Sequence, residues 1–375
     1  MKKMMMLVVA LVLTMTVNAE NTKWYNPMDG AEPYICGRAW NSEIGKTFSR
    51  LPERFHGKVT NAVWSLSRNS AGLYVRFNTN AKRIAVRYSV DNKYATHPNM
   101  APLNHSGLDL YVIDHNGKEH GIHNQMNHNV CSAKDTLLYV YEDVIIPESG
   151  THGFDYLLFL PTYNTTTYLS VGVDENCTFS FYGQEKEKPV VCYGSSICQG
   201  ASASRPGLIW TNILKRETAY PYINLGFSGN ALMESEIFDA MSEIDARAFI
   251  IDCIPNSFRF EGDGKTIEER FPAGIRKLRA KSNAPIIIAE SIVAKDDEFV
   301  SKKDSRKVRA NAILKGIFKQ LKAEGMKNIY YITAEDFGLT REDYIEGTHP
   351  NDLGMVLYAK AYEKVLAKIG IKTHK

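Results

Sequence analysis

Five residues in the second half of the chain carry groups that could do acyl chemistry together. Ser196 lies in Gly194-Ser195-Ser196-Ile197, Gly229 in Asn224-Leu225-Gly226-Phe227-Ser228-Gly229-Asn230, Asn256 in Ile254-Pro255-Asn256-Ser257, and Glu346 and His349 in Glu346-Gly347-Thr348-His349. A serine hydroxyl is a weak nucleophile until an imidazole removes its proton. The imidazole needs an acceptor on its second nitrogen, and the oxyanion that develops needs donors already in place, such as backbone N–H groups and a carboxamide. Residues 189–375 contain two histidines, and one of them, His374, is the penultimate residue. A histidine-dependent reaction in this half therefore falls to His349. There is no G-x-S-x-G, because Gly226-Phe227-Ser228-Gly229-Asn230 breaks it at the last position, and no G-x-x-x-x-G-K-[ST] or H-E-x-x-H.

The elements that would hold these residues can be read from periodicity. Pro189–Tyr193, Tyr222–Leu225, Ala248–Cys253, Pro285–Ala289 and Asn328–Ile332 are short apolar runs of strand type. Amphipathic stretches lie between and after them at Leu208–Glu217, Leu232–Ile244, Ile267–Lys281, Ser305–Glu324 and Leu353–Ile369. Strand and helix alternating five times predict a parallel five-stranded sheet in a three-layer α/β/α domain, with chemistry beyond the carboxyl ends of the strands. Each of the four blocks stands at or after such an end.

Taken in that order, the four blocks resemble those of the SGNH hydrolases, the GDSL-type esterases, over residues 189–375. The resemblance implies Ser196 as nucleophile, His349 as base and Glu346 as the acid. It implies an oxyanion hole from the Ser196 and Gly229 N–H groups and Asn256, with Gly226 the less favoured glycine. Three positions depart from the family pattern: Ser195 replaces Asp, Ile-Pro-Asn-Ser replaces G-x-N-D, and Glu346 replaces the Asp of D-x-x-H. Asp343 or a backbone carbonyl is the alternative orienter of the imidazole. No cofactor and no metal is implied.

The first half has a different rhythm. Leu73–Phe77 and Ile84–Val90 alternate, and further short runs fall at Leu108–Asp114, Thr136–Ile146, Phe154–Leu160, Thr167–Val173 and Thr178–Tyr182, separated by turn residues. That pattern predicts an all-β sandwich or jelly roll over 20–182, and the charged, Pro-terminated stretch 183–188 reads as a linker to the domain at 189–375. Arg50-Leu51-Pro52, Val63-Trp64-Ser65-Leu66-Ser67 and Ser70-Ala71-Gly72-Leu73 resemble the β-sandwich modules that precede some SGNH carbohydrate esterases. His97, His105, His115, His120, His123 and His128 could be imagined as a metal site, but acidic or Cys ligands at matching spacing are missing, and polar loops are the simpler reading. Trp24, Tyr25, Trp40, Trp64 and Tyr74 read as core before they read as sugar-stacking platforms.

Residues 1–19 carry Lys2 and Lys3, an apolar run from Met4 to Leu13 and Val17-Asn18-Ala19, the pattern of a secretory signal peptide cleaved near Ala19. That places the protein outside the cytoplasm, in the periplasm or beyond. The full chain of 375 residues has a formal charge of +3, and removing two lysines leaves +1, too balanced for a nucleic-acid partner. Beyond the N-terminal run no apolar stretch is long enough to span a membrane. The six cysteines contain no C-x-x-C and read mostly as free buried thiols. The expectation is a secreted serine esterase that removes small acyl groups, acetyl above all, from an acylated glycan. The alternatives are a lipid or phospholipid-type acyl esterase, or a glycan-binding protein whose hydrolase site has decayed.

Overall fold

The structure is a computed structural model that describes residues 21–92, 96–114, 116–123, 135–145, 152–218, 220–259, 266–294 and 305–373. The N-terminal segment 1–20, Cys131, His115, His128 and His374 lie outside the described residues.

Period-two patterning builds the first half. Its strands are β1 (Thr22–Tyr25), β2 (Tyr74–Thr79), β3 (Ile84–Val90), β4 (Asp109–Ile113), β5 (Glu119–Ile122), β6 (Leu137–Tyr141), β7 (Phe154–Phe159), β8 (Thr166–Asp174) and β9 (Phe179–Phe181). They pair antiparallel in two sheets, β1-β8-β3-β6 and β5-β4-β7-β2-β9. Val75, Phe77, Leu110, Tyr156 and Leu158 of one sheet share a core with Ile84, Val86, Tyr88, Tyr139 and Val171 of the other. Two strands had no signal in the sequence. Thr22–Tyr25 and Glu119–Ile122 are four-residue strands without an apolar alternation long enough to detect.

The half is also not purely β. It carries α1 (Asn41–Ile44), α2 (Asn61–Ser67) and α3 (Pro102–Ser106). The Thr60 side chain caps α2 by accepting from Val63 N at 3.2 Å, and Pro102 starts α3 at its first position. All are shorter than the two or more turns that a 3.6-residue period needs to show itself.

The second half is a parallel sheet of β10 (Val190–Gly194), β11 (Tyr222–Gly226), β12 (Ala248–Asp252), β13 (Ile286–Ala289) and β14 (Ile329–Ile332), in the order β11-β10-β12-β13-β14. Its helices are α4 (Ser196–Gln199), α5 (Trp210–Glu217), α6 (Ser235–Ser242), α7 (Phe271–Lys281), α8 (Ser305–Ala323) and α9 (Asp352–Lys368). Successive strand residues face opposite layers. Val191, Tyr193, Phe249 and Ile251 pack with α6, α7 and α8, whereas Val190, Cys192, Ile250 and Ile287 pack with α5 and α9. Ligands of such sheets sit where the strand order reverses, which here is between β10 and β12.

The halves are joined through buried polar bonds as well as apolar contact. Leu51, Phe55, Val59 and Val63 enter the core beneath α6 and α7. The expected linker is tied down: Gln184 Nε2 donates to Pro33 O at 3.1 Å, and Glu185 takes Lys215 Nζ at 3.1 Å and the Tyr74 hydroxyl. Among the described residues no helix is long and apolar enough to cross a membrane. The five described cysteines are all free, and Cys36, Cys192, Cys198 and Cys253 are buried.

Candidate active site

Ser196 is the first residue of α4, immediately beyond the end of β10. Gly194 is required at the turn because a Cβ there would lie 2.6 Å from Cys198 Cβ and 2.7 Å from Asp252 O. Ser195 caps the short helix, its Oγ accepting from Ile197 N at 3.3 Å. A hydroxyl performs that task as a carboxylate would, which gives a physical role to one departure from the family pattern. As a first-turn residue Ser196 has no intrahelical acceptor for its N–H. The Ser196 side chain is almost buried, and its Oγ lies 2.8 Å from His349 Nε2.

His349 arrives from a loop after β14. Glu346 folds back on this loop, its carboxylate accepting from Thr348 N at 3.0 Å and His349 N at 3.3 Å and meeting His349 Nδ1 directly. With a carboxylate on Nδ1, that nitrogen carries the proton and Nε2 is left to accept from Ser196 Oγ. Burial alone would push the Glu346 carboxyl up, but the hydrogen bond and charge of His349 outweigh it and hold it below the ordinary glutamate range. The loop is anchored at its far end by Asn351, which caps α9 through Gly354 N at 3.1 Å. Asp343 does not reach the imidazole: its carboxylate is engaged by Thr340 N at 2.7 Å and Thr340 Oγ1 at 2.9 Å.

The remaining two blocks meet each other. Asn256 stands in the short 3-10 helix Ile254–Arg259 after β12, and its Oδ1 accepts from Ala231 N at 3.2 Å, which fixes the carboxamide against the segment after β11. Gly229 in that segment has φ +68°, a left-handed conformation that favours glycine. Gly226 is excluded as a donor to substrate. Its N–H is used by Asn224 Oδ1 at 2.8 Å, and a Cβ there would lie 2.2 Å from Gln199 N. Burial pushes the thiol of Cys198, two residues from Ser196, far above the ordinary range. Among the described residues no three His, Cys, Asp or Glu side chains converge as a metal site. His120 pairs with Asp114 at 2.8 Å, while His97 meets Tyr163 edge-on and His105 lies tilted beside both rings.

The β half reaches into this site through residues to which the sequence reading assigned no role. Arg50 is buried, and its guanidinium donates to Asn224 O at 3.0 Å, Gly226 O at 2.8 Å, Leu66 O at 2.6 Å and Asn69 O at 3.0 Å. Burial lowers its pKa to about 10, so it remains charged at neutral pH. Tyr163 donates to Ser196 O at 3.2 Å. Asn99 Nδ2 lies 3.2 Å from His349 Nδ1 and 3.4 Å from Glu346 Oε1. Gln199 of α4 answers from the other side, donating to Asn69 Oδ1 and Thr162 O, both at 3.2 Å, and accepting from Ser228 N at 2.9 Å.

Comparison with known proteins shows the family. Residues 187–367 match the GDSL-like Lipase/Acylhydrolase family, and residues 22–179 match GxDLY, the N-terminus of SGNH-hydrolase-type esterases. A putative GDSL-like lipase from Bacteroides ovatus is 33% identical, with a TM-score of 0.81 over 94% of this chain and 99% of that one. This chain belongs to the GDSL/SGNH hydrolase family. It is an acyl esterase of that family, with the β-rich domain first and the α/β/α domain second. Two more distant structures share the fold: the salicylyl-acyltransferase SsfX3 from a tetracycline biosynthetic pathway and a family two carbohydrate esterase from Cellvibrio japonicus. The first is 16% identical, with a TM-score of 0.70 over 94% of this chain and 99% of that one. The second is 12% identical, with a TM-score of 0.56 over 93% and 98%. No curated protein sequence matches the chain.

The letters of the N-terminal family occur here as Gly107-Leu108-Asp109-Leu110-Tyr111. Their place in the fold explains them. Buried Asp109 accepts from Arg205 Nη1 at 2.7 Å and Gly207 N at 2.9 Å, and the Tyr111 hydroxyl takes Arg205 Nη1 at 2.6 Å. The motif fastens the β domain to the segment between α4 and α5.

Proposed function

We propose that this esterase is exported and removes small acyl groups, most readily acetyl, from carbohydrate. The observation that carries the reaction is the continuous chain from Ser196 Oγ to His349 Nε2 at 2.8 Å and from His349 Nδ1 to Glu346. His349 takes the Ser196 proton as Oγ attacks the ester carbonyl, and Glu346 stabilises the imidazolium that forms. The Ser196 N–H, the Gly229 N–H and the Asn256 carboxamide receive the oxyanion. The imidazolium then gives its proton to the leaving sugar hydroxyl. Water, deprotonated by the same imidazole, attacks the acyl-enzyme and releases the acid and free Ser196. The sequence needs no metal or cofactor for any of these steps.

Three features support the choice of substrate. The groups beside His349, Asn99 and Glu346, are polar, which suits a hydroxyl-rich leaving group. The formal charge of +1 after loss of residues 1–19 suits a neutral acyl sugar better than a polyanion. The Cellvibrio japonicus protein of the same two-domain fold is a carbohydrate esterase by name. Export rests on the N-terminal signal pattern.

Acetate release from a panel of acetylated polysaccharides, with Ser196→Ala as control, tests the proposal. The wild type should release acetate, and the variant should lose at least ~10³-fold in rate. A preference for long-chain aryl esters with no acetate release would reject the carbohydrate reading.

A further inference from the structure

Glu346 occupies a position where the family pattern has Asp, and the extra methylene adds a rotatable bond between the carboxylate and the backbone. Its side chain is 42% exposed, against 18% for His349. An exposed carboxylate with an added rotor loses orientation unless something outside its own loop holds it. Among the described residues the α/β domain holds Glu346 from its own loop alone, through Thr348 N, His349 N and His349 Nδ1. The additional donor comes from the other domain.

We infer that Asn99 is a positioning residue that locks the Glu346–His349 pair, so that the β domain completes the catalytic machinery. Its Nδ2 reaches Glu346 Oε1 at 3.4 Å from beside His349 Nδ1, which places the amide on the carboxylate oxygen that faces the imidazole. Asn99 is itself held by the segment that follows the nucleophile. Ser202 Oγ donates to Asn99 O at 2.7 Å. Ser202 has φ +71°, a left-handed conformation unusual for serine, and the hydroxyl contact offsets part of its strain. Next in sequence, Met100 packs on Ala201 and Tyr163, and Tyr163 donates to Ser196 O. The short stretch Asn99–Met100 of the β domain therefore touches both the segment that follows α4 and the base's acceptor. The inference rests on the esterase reading above, and it explains how a Glu can serve where the family uses Asp.

A double-mutant cycle on short-chain aryl acetate hydrolysis tests it. Asn99→Ala should lower kcat roughly tenfold with KM within about twofold and an unchanged melting temperature. In a Glu346→Gln background the same substitution should cost less than about twofold, because Asn99 acts through that carboxylate. Asn99→Asp, nearly isosteric, should fold and yet fail to restore kcat, since two carboxylates would then face each other. Wild-type kcat in Asn99→Ala, or a loss fully additive with Glu346→Gln, would overturn the inference while leaving the esterase reading intact. A wild-type protein inert toward every ester and toward fluorophosphonate would overturn both.

Discussion

The α/β domain and the β domain contribute unlike things to one site. Every atom proposed to react, Ser196 Oγ, His349 Nε2 and the oxyanion donors, belongs to the α/β domain. The β domain contributes groups that hold backbone and side chains in place: Arg50 on the carbonyls of Asn224 and Gly226, Tyr163 on Ser196 O, Asn99 on Glu346, and Asp109 on Arg205 and Gly207. The two domains also treat buried charge differently. Arg50 stays charged because four carbonyls surround it. Asp252, beneath the turn that carries Ser196, has Tyr358 OH at 2.9 Å on one oxygen, and burial pushes its pKa up to about 8.

Three substitutions would break or sharpen that contrast. Arg50→Met has the largest expected effect: stability should fall by about 3 kcal/mol, read from urea unfolding, because a hydrogen-bonded buried cation is lost and its carbonyls are left unmatched. Its kcat should fall as well, since the turn that carries Gly229 begins at the carbonyls Arg50 holds. An Arg50→Met protein as stable as wild type would mean that the domain interface does not depend on this charge. Glu346→Gln should come next, with kcat down by about 10²-fold and the fold unchanged, as an amide no longer stabilises the imidazolium. Activity at the wild-type level would transfer the orienting role to another group.

Asp252→Asn should give the smallest effect, and its sign follows from linkage. The carboxyl titrates near 3.8 when unfolded and about 8 when folded, so between those values the native state binds more protons and stability declines as pH rises. Asparagine keeps an acceptor for Tyr358 and cannot titrate. The variant should therefore lose part of the decline between about pH 4 and pH 8 in unfolding experiments. An unchanged slope would show that Asp252 is ionised in the native protein.

The same contrast explains what was legible in the sequence. The blocks proposed to react are local: each is a few residues long, follows an apolar run and keeps its order, so Ser196, Gly229, Asn256, Glu346 and His349 could be put forward as candidates and the five strands placed within a residue or two. The holders are long-range. Asn99 meets Glu346 across almost 250 positions, and Arg50 meets Gly226 across 176, with no local pattern to mark them. Arg50-Leu51-Pro52 was recognisable as a stretch, but nothing in it says that its cation points at the end of β11. The short strands and helices of the β domain were missed for a related reason, since they take their stability from packing and caps and not from periodicity.

The account depends most on Ser196 being the nucleophile that this scaffold presents. Labelling with a fluorophosphonate probe, followed by peptide mapping, tests that directly. The account predicts one adduct, on Ser196, in the wild type and none in His349→Ala over the same time. An adduct on another serine, or equal labelling without His349, would contradict it.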